Sequence, residues 1–140
     1  MGQFDIGDLQ GEKRFSTMAA YSTSKLLMLM FTIELAERLG QSRVTTNALH
    51  PRIVRTQMMW SVPGIFRLLA YFAVPFSVLP QEGAATSVYL ASSPDVKGIS
   101  GKYFTDSKVA DVKSKFNTKK NRELLWDESL KCLQQAGTAA

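Results

Sequence analysis

The 140-residue sequence predicts an α/β fold, and more narrowly the closing portion of such a chain. Three observations carry this. Ser16 to Leu39 contains no Gly or Pro and is dominated by strong helix formers. Val44, Thr45 and Thr46 form a β-branched run that leads into His50 and Pro51. The resulting order along the chain is helix, strand, long loop, helix, strand, helix. A content of 45% hydrophobic and 21% charged residues is ordinary for a folded domain and excludes global disorder.

The first 15 residues hold Gly2, Gly7 and Gly11 among alternating charges, which predicts a loop or a weak strand at Gln3 to Ile6. Met1 to Arg14 lacks the charged and then apolar order of a secretory signal. Ile6 stands where N-myristoylation needs Ser or Thr. The helix from Ser16 to Leu39 ends at a Gly40 C-cap. Its residues Leu26, Leu27, Met28, Leu29, Met30, Phe31, Ile33, Leu35, Ala36 and Leu39 cover far more than one stripe, so burial on several sides is expected. That much apolar surface implies a neighbour, either a missing sheet or a second subunit.

Arg43 to Leu49 is expected to be a strand ending at a turn. Residues 57–79 form an irregular excursion with one or two short helices, punctuated by Pro63, Gly64 and Pro75. Its most apolar part, Ile65 to Leu79, is interrupted by Arg67 and Pro75 and falls short of the ~20 residues that cross a bilayer. Such a segment fits a lid, a partner surface or a peripheral contact with a membrane interface. Pro80, with Gln81 and Glu82 in the first turn, opens a helix to about Ala91, which Ser92, Ser93 and Pro94 end. A strand from Lys102 to Thr105 follows Gly98 and Gly101. Lys119 to Gln135 is an amphipathic helix carrying Leu124, Leu125, Trp126, Leu130 and Leu133, with Thr118 as N-cap. Two good strands make a marginal sheet, so the chain is expected to complete a larger one.

The net charge of +5 is scattered. Its one cluster, Lys113, Lys115, Lys119, Lys120 and Arg122, is read as a solvated helix entrance rather than a phosphate or nucleic-acid patch. Cys132 is the single cysteine, which excludes an internal disulfide and a cysteine-based zinc site. The chain fits a reducing compartment or is indifferent to redox, its location is left open as intracellular, cytoplasmic or peripheral on an intracellular membrane, and the place of Cys132 in an apolar helix favours packing. His50 is the single histidine, without a second His, Cys or clustered carboxylate, so no metal site is expected. Asp5, Asp8 and Glu12 are read as solvated loop charges rather than an acid pair.

The motif that carries chemistry is Tyr21-Ser22-Thr23-Ser24-Lys25. A Tyr and a Lys at i and i+4 share one helix face, with Cβ atoms ~6 Å apart. A free phenol has a pKa of ~10, and a held ammonium favours the phenolate. A tyrosine so placed serves as general acid in one direction and base in the other. The spacing alone is common by chance. Here it is followed by the Leu- and Met-rich helix, the strand, and His50-Pro51-Arg52-Ile53-Val54-Arg55-Thr56.

Together with Asp8 to Lys13, Ala20 to Leu26, Phe31 to Leu39, Thr46 to Pro51, Gly83 to Ser87, Ser100 to Phe104 and Leu125 to Asp127, these segments resemble the short-chain dehydrogenase/reductase family, in its retinol dehydrogenase-like branch. The resemblance covers nearly the whole chain in the right order. It implies the C-terminal portion of a Rossmann-like, doubly wound parallel sheet. Residues 1–140 would be a single partial domain with a catalytic helix, a substrate loop at about 57–79, and a C-terminal strand and helix. It further implies an NADP- or NAD-dependent oxidoreductase that interconverts an apolar alcohol and its carbonyl compound. Tyr21 would exchange the proton, Lys25 would promote its phenolate and hydrogen-bond the nicotinamide ribose, and Pro51, Ile53 and Thr56 would meet the carboxamide. Trp60, Phe66, Tyr71, Phe72 and Phe76 match the region that covers an apolar substrate, although core or subunit packing accounts for them equally. The resemblance also implies pairing through helices 16–39 and 80–91, as a homo- or hetero-dimer.

The sequence departs from the family pattern in two ways. Arg52 stands where the family has Gly; a bulky cation there either blocks the nicotinamide pocket and distorts the turn, or points outward and leaves the turn intact. The glycine-rich phosphate loop, the Asn-Asn-Ala-Gly segment and the catalytic serine have no counterpart, and Ser16 and Ser22 lie too close to Tyr21 to come from a neighbouring strand. The expectation is therefore a truncated form with its nucleotide-binding half missing, its activity alone in question. The alternative is a non-catalytic isoform that associates with a full-length relative.

Overall fold

The computed structural model describes residues 2–13, 15–57, 71–72 and 74–138. It is an α/β chain of two compact units. The first comprises Met1–Ala48, Gly98–Lys102 and Asp111–Ala140; the second comprises Leu49–Lys97 and Tyr103–Ala110.

The first unit is built on helix α1, Thr17–Leu39. Ser16 is the extended N-cap residue, and Gly40, at φ 52°, closes the helix with its N–H donating to the Ala36 carbonyl. Ahead of it the expected strand at Gln3 to Ile6 does not form. Ile6–Asp8 is a single 3-10 turn, because the Asp5 carboxylate accepts the Gly7 N–H and fastens the chain locally before any ladder partner is met.

The last helix, Lys119–Thr138, packs on α1. It runs three residues beyond the expected Gln135, carrying Gly137 inside it, and Thr118 caps it by accepting the Asn121 N–H. Between these helices Leu26, Met30 and Leu125 form the buried core, flanked by Phe4, Leu9, Leu27, Phe31 and Phe116. Trp126 stacks on Phe31 with ring centroids 5.2 Å apart, and the Arg38 guanidinium lies 4.5 Å from the Trp126 ring. Beside the stack, Glu34 is almost fully buried and accepts from Arg38 at 2.8 Å, while Arg122 pairs with Glu37.

Burial is narrower than the apolar composition predicted. On α1 only Leu26, Leu29, Met30, Thr32 and Glu34 are buried, whereas Met18 and Met28 are exposed. On the last helix Leu125 alone is buried among the described residues; Leu124, Leu130 and Leu133 are exposed. Cys132, expected to pack, is also exposed, since the helix offers its partner one stripe and Cys132 lies off it.

The expected strand from Arg43 to Leu49 is a second correction. Strand β1 is Ala48–His50. Thr46 and Asn47 are engaged otherwise: Thr46 N–H donates to Ser100 Oγ, its carbonyl accepts from Gly101 N–H, and the Asn47 amide clasps the Ile99 carbonyl and the Lys102 N–H. Side-chain bonds interrupt the backbone ladder there.

The second unit contains helix α2, Pro80–Ser92, and the hairpin of β2, Tyr103–Thr105, with β3, Lys108–Ala110. Glu82 caps α2 by accepting the Leu79 N–H at 3.0 Å. The sheet order is β1-β2-β3, with β2 and β3 antiparallel in the register Tyr103 to Ala110 and Thr105 to Lys108. The third strand was not expected, and its antiparallel pairing departs from a wholly parallel sheet. Its turn is the two-residue loop Asp106-Ser107, with φ of 50° and 58°; positive φ at both central positions matches the twist of paired strands. Phe104, 2% exposed, is the buried residue of the hairpin.

We name the helix Lys119–Thr138 α3. Among the described residues no helix is long and apolar enough to cross a membrane.

Candidate active site

The residues singled out by sequence fall in both units. In the first, Tyr21 and Lys25 sit one turn apart on α1, and both are exposed. The Lys25 ammonium lies 5.5 Å from the centroid of the Tyr21 ring. The i, i+4 spacing has therefore brought the charge onto the phenol face instead of splaying the two side chains apart, a cation–π contact worth ~0.5–1 kcal/mol at an exposed position. Tyr21 is 60% exposed, so its ring is open to a ligand rather than packed into the core.

The hydroxyls nearest to it in sequence are occupied within the helix: Ser22 Oγ donates to the Met18 carbonyl and Ser24 Oγ to the Tyr21 carbonyl. Neither is aimed at the phenol as a second proton donor. A groove of about 850 Å³ between the 3–16 segment and the first turns of α1 is lined by Asp8, Lys13, Phe15, Met18, Ala19 and Thr23 among others, and its lining includes neither Tyr21 nor Lys25.

In the second unit the segment Pro51 to Thr56 is a turn followed by a strand-like stretch. Val54 forms a parallel bridge with Val78; the Ile53 carbonyl accepts the Val78 N–H, and Arg55 N–H donates to the Val78 carbonyl, both at 2.9 Å. Pro51, Ile53 and Thr56 are exposed. His50 ends β1, as the turn requires.

Arg52 has φ 66°, the left-handed region that costs a side-chain-bearing residue ~1–2 kcal/mol. The turn thus keeps the geometry for which glycine is suited, and Arg52 supports it with strain. Its guanidinium is directed to the hairpin loop, with Nε 3.6 Å from Asp106 Oδ1. A left-handed residue is thus kept at the position where the family has Gly, with the Arg52 side chain paired to Asp106. Asp106 escaped the sequence reading; the available signal was Thr105-Asp106-Ser107-Lys108, a pair of turn formers between short strands.

Of the aromatic residues in the expected substrate loop, Tyr71, Phe72 and Phe76 are exposed, and Val74–Phe76 is a 3-10 turn. Trp60 and Phe66 lie outside the described residues.

The first unit thus presents an accessible phenol with an ammonium over one face of its ring, and the second an exposed turn in a glycine-type conformation. Among the described residues, no helix start carries a glycine-rich loop that would receive a pyrophosphate, since α1 follows Phe15-Ser16, α2 follows Val78-Leu79 and α3 follows Asn117-Thr118.

Comparison with known proteins gives a consistent picture. The sequence model of the short chain dehydrogenase family matches residues 5–63. Retinol dehydrogenase 14 of Homo sapiens is 41% identical over 134 residues, which is 91% of this chain and 39% of that protein. Retinol dehydrogenase 12 of Mus musculus is 39% identical over 133 residues, covering 95% of this chain and 42% of that protein. Retinol dehydrogenase 13 of Mus musculus is 37% identical over 135 residues, covering 91% and 40% respectively. The chain spans about two fifths of the length of these curated relatives.

Proposed function

We propose, from the premise that this chain belongs to the short-chain dehydrogenase/reductase family, that it contributes the proton-transfer half of a NADP- or NAD-dependent interconversion of an apolar alcohol and its carbonyl compound. The observation that carries this reading is the Lys25 ammonium 5.5 Å from the exposed Tyr21 ring.

A bound nicotinamide dinucleotide supplies or accepts the hydride. Tyr21 donates its phenolic proton to the carbonyl oxygen during reduction and takes the hydroxyl proton from the alcohol during oxidation. Lys25 holds a positive charge beside the ring and would donate to a ribose hydroxyl. Pro51, Ile53 and Thr56 would hold the carboxamide. The exposed Tyr71, Phe72 and Phe76 suit an apolar substrate, and the names of the retinol dehydrogenase relatives point to a retinoid-like alcohol or aldehyde.

The test is nicotinamide absorbance followed with an apolar aldehyde and NADPH, for the parent chain and for Tyr21→Phe and Lys25→Met. Turnover that falls ~10²–10⁴-fold in Tyr21→Phe supports the reading. A parent without turnover, or a Tyr21→Phe variant as fast as the parent, rejects it.

A second reading of another class is favoured by one observation. Met18 and Met28 on α1 and Val88 on α2 are exposed apolar side chains on the two helices for which the family resemblance implies pairing. On this reading the chain is a non-catalytic partner of a longer relative. Sedimentation of an equimolar mixture with full-length retinol dehydrogenase 14 separates the two: a heterodimer supports it, and two independent boundaries reject it.

A further inference from the structure

We propose that Asp106 is a positioning residue that holds the Pro51–Thr56 turn in shape through Arg52, without itself touching cofactor or substrate. The proposal deepens the oxidoreductase reading above and, in its cofactor arm, rests on it.

The turn has one firmly held side and one strained side. Downstream of Arg52 the backbone is fastened by the Ile53 and Arg55 hydrogen bonds to Val78, and the Arg55 guanidinium adds contacts to Ser77 Oγ and the Val74 carbonyl, both at 3.3 Å. At Arg52 itself the chain turns through φ 66°, a conformation in which the side chain disfavours what the fold requires. The ion pair from Arg52 Nε to Asp106 Oδ1 at 3.6 Å is the contact that opposes relaxation of this residue.

Asp106 is suited to the task because its own position is fixed. It is the first residue of the two-residue β2–β3 loop, closed by the Thr105 to Lys108 pair. The next residue, Ser107, donates its N–H to Thr86 Oγ1 at 3.1 Å, and Thr86 is 5% exposed in α2. The anchor thus runs from a buried helix residue to the hairpin loop and from there to the strained turn. Pro51 and Ile53, on either side of Arg52, are exposed residues.

With side chains 54% and 59% exposed, the pair is screened, so its effect is local opening of the turn rather than global stability. The experiment is an exchange cycle on the purified chain: amide hydrogen exchange of Arg55 and Val78 in the parent, Asp106→Asn, Arg52→Gly and the double variant. We expect Asp106→Asn to speed exchange ~2–5-fold when Arg52 is present and to leave it unchanged in the Arg52→Gly background, where glycine adopts the positive φ unaided. Equal acceleration in both backgrounds, or none in either, overturns the proposal.

In the cofactor arm, Asp106→Asn raises KM for NADPH by a similar factor at constant kcat, and Asp106→Glu restores it. A KM unmoved by a variant whose exchange is faster overturns the positioning role. If the parent neither binds NADPH nor turns over, the oxidoreductase reading fails, while the exchange cycle still decides whether Asp106 holds the turn.

Discussion

Gly83 lies so close to Val54 that a β-carbon built on it would stand 2.5 Å from Val54 Cγ2 and 3.1 Å from Cγ1. Helix α2 therefore meets the stretch after the turn with backbone rather than side chain, and the β-branched valine cannot swing aside cheaply. We expect Gly83→Ala to destabilise by up to ~2 kcal/mol, overpacking of ~1–3 kcal/mol being partly offset by a helix-propensity gain of ~1 kcal/mol. In a Val54→Ala background the nearest atom becomes Val54 Cβ at 3.4 Å, and the same change should turn stabilising. Urea denaturation of the four chains checks the change of sign.

The two methionines Met28 and Met30 offer a contrast within one helix. Met30 is 0% exposed in the α1–α3 core, and Met28 is 63% exposed. Met30→Ala should cost ~2–5 kcal/mol through lost burial and a residual cavity, whereas Met28→Ala should stay within ~0.5 kcal/mol. Equal shifts in thermal denaturation would contradict the assigned packing of α1.

Glu34 is a buried charge held by two arginines, at 2.8 Å from Arg38 and 3.9 Å from Arg122. Glu34 Oε2 and Arg122 Nε are both buried without a hydrogen-bond partner, so the cluster's polar groups are incompletely satisfied. Removing the carboxylate would leave Arg122, 12% exposed, with Glu37 as its remaining counter-charge. Glu34→Ala is expected to lose ~3 kcal/mol, while Glu34→Ala with Arg122→Met should lose less than the sum of the single changes. A double-mutant cycle in guanidinium chloride measures that coupling.

Burial raises the Tyr103 phenol above its ordinary pKa of 10.0. A raised folded value means that the protonated phenol is favoured in the fold. Its contribution is complete below the unfolded value and declines as pH rises through 10.0 and on toward the folded value. Stability measured from pH 8 to 11 should fall more steeply for the parent than for Tyr103→Phe, with the two curves parallel below ~pH 9. Parallel curves throughout would show that Tyr103 is not desolvated.

Local chemistry explains which elements were legible from sequence. Helix α1 was visible because an uninterrupted run of helix formers is bounded by Ser16 and Gly40, and α2 because Pro80 and Glu82 mark its start. Strand β3 was hidden, since Lys108 to Ala110 is too short to show a period and becomes a strand only by pairing with β2. The expected Arg43 to Leu49 strand was displaced because Ser100 and the Asn47 side chain satisfy backbone groups that β propensity assigned to a ladder. Tyr21 and Lys25 needed no tertiary information, as one helical turn brings them together.

The sequence by itself determined the α/β class, the helices α1, α2 and α3 and the Tyr21–Lys25 pairing, because each depends on residues within a few positions of one another. Tertiary structure decided which side of α1 is buried, that Arg52 adopts a left-handed conformation, and that Asp106 is its counter-charge. Those outcomes depend on atoms brought together from distant parts of the chain, as when Thr46 meets Ser100 54 positions on, and no local periodicity encodes such meetings.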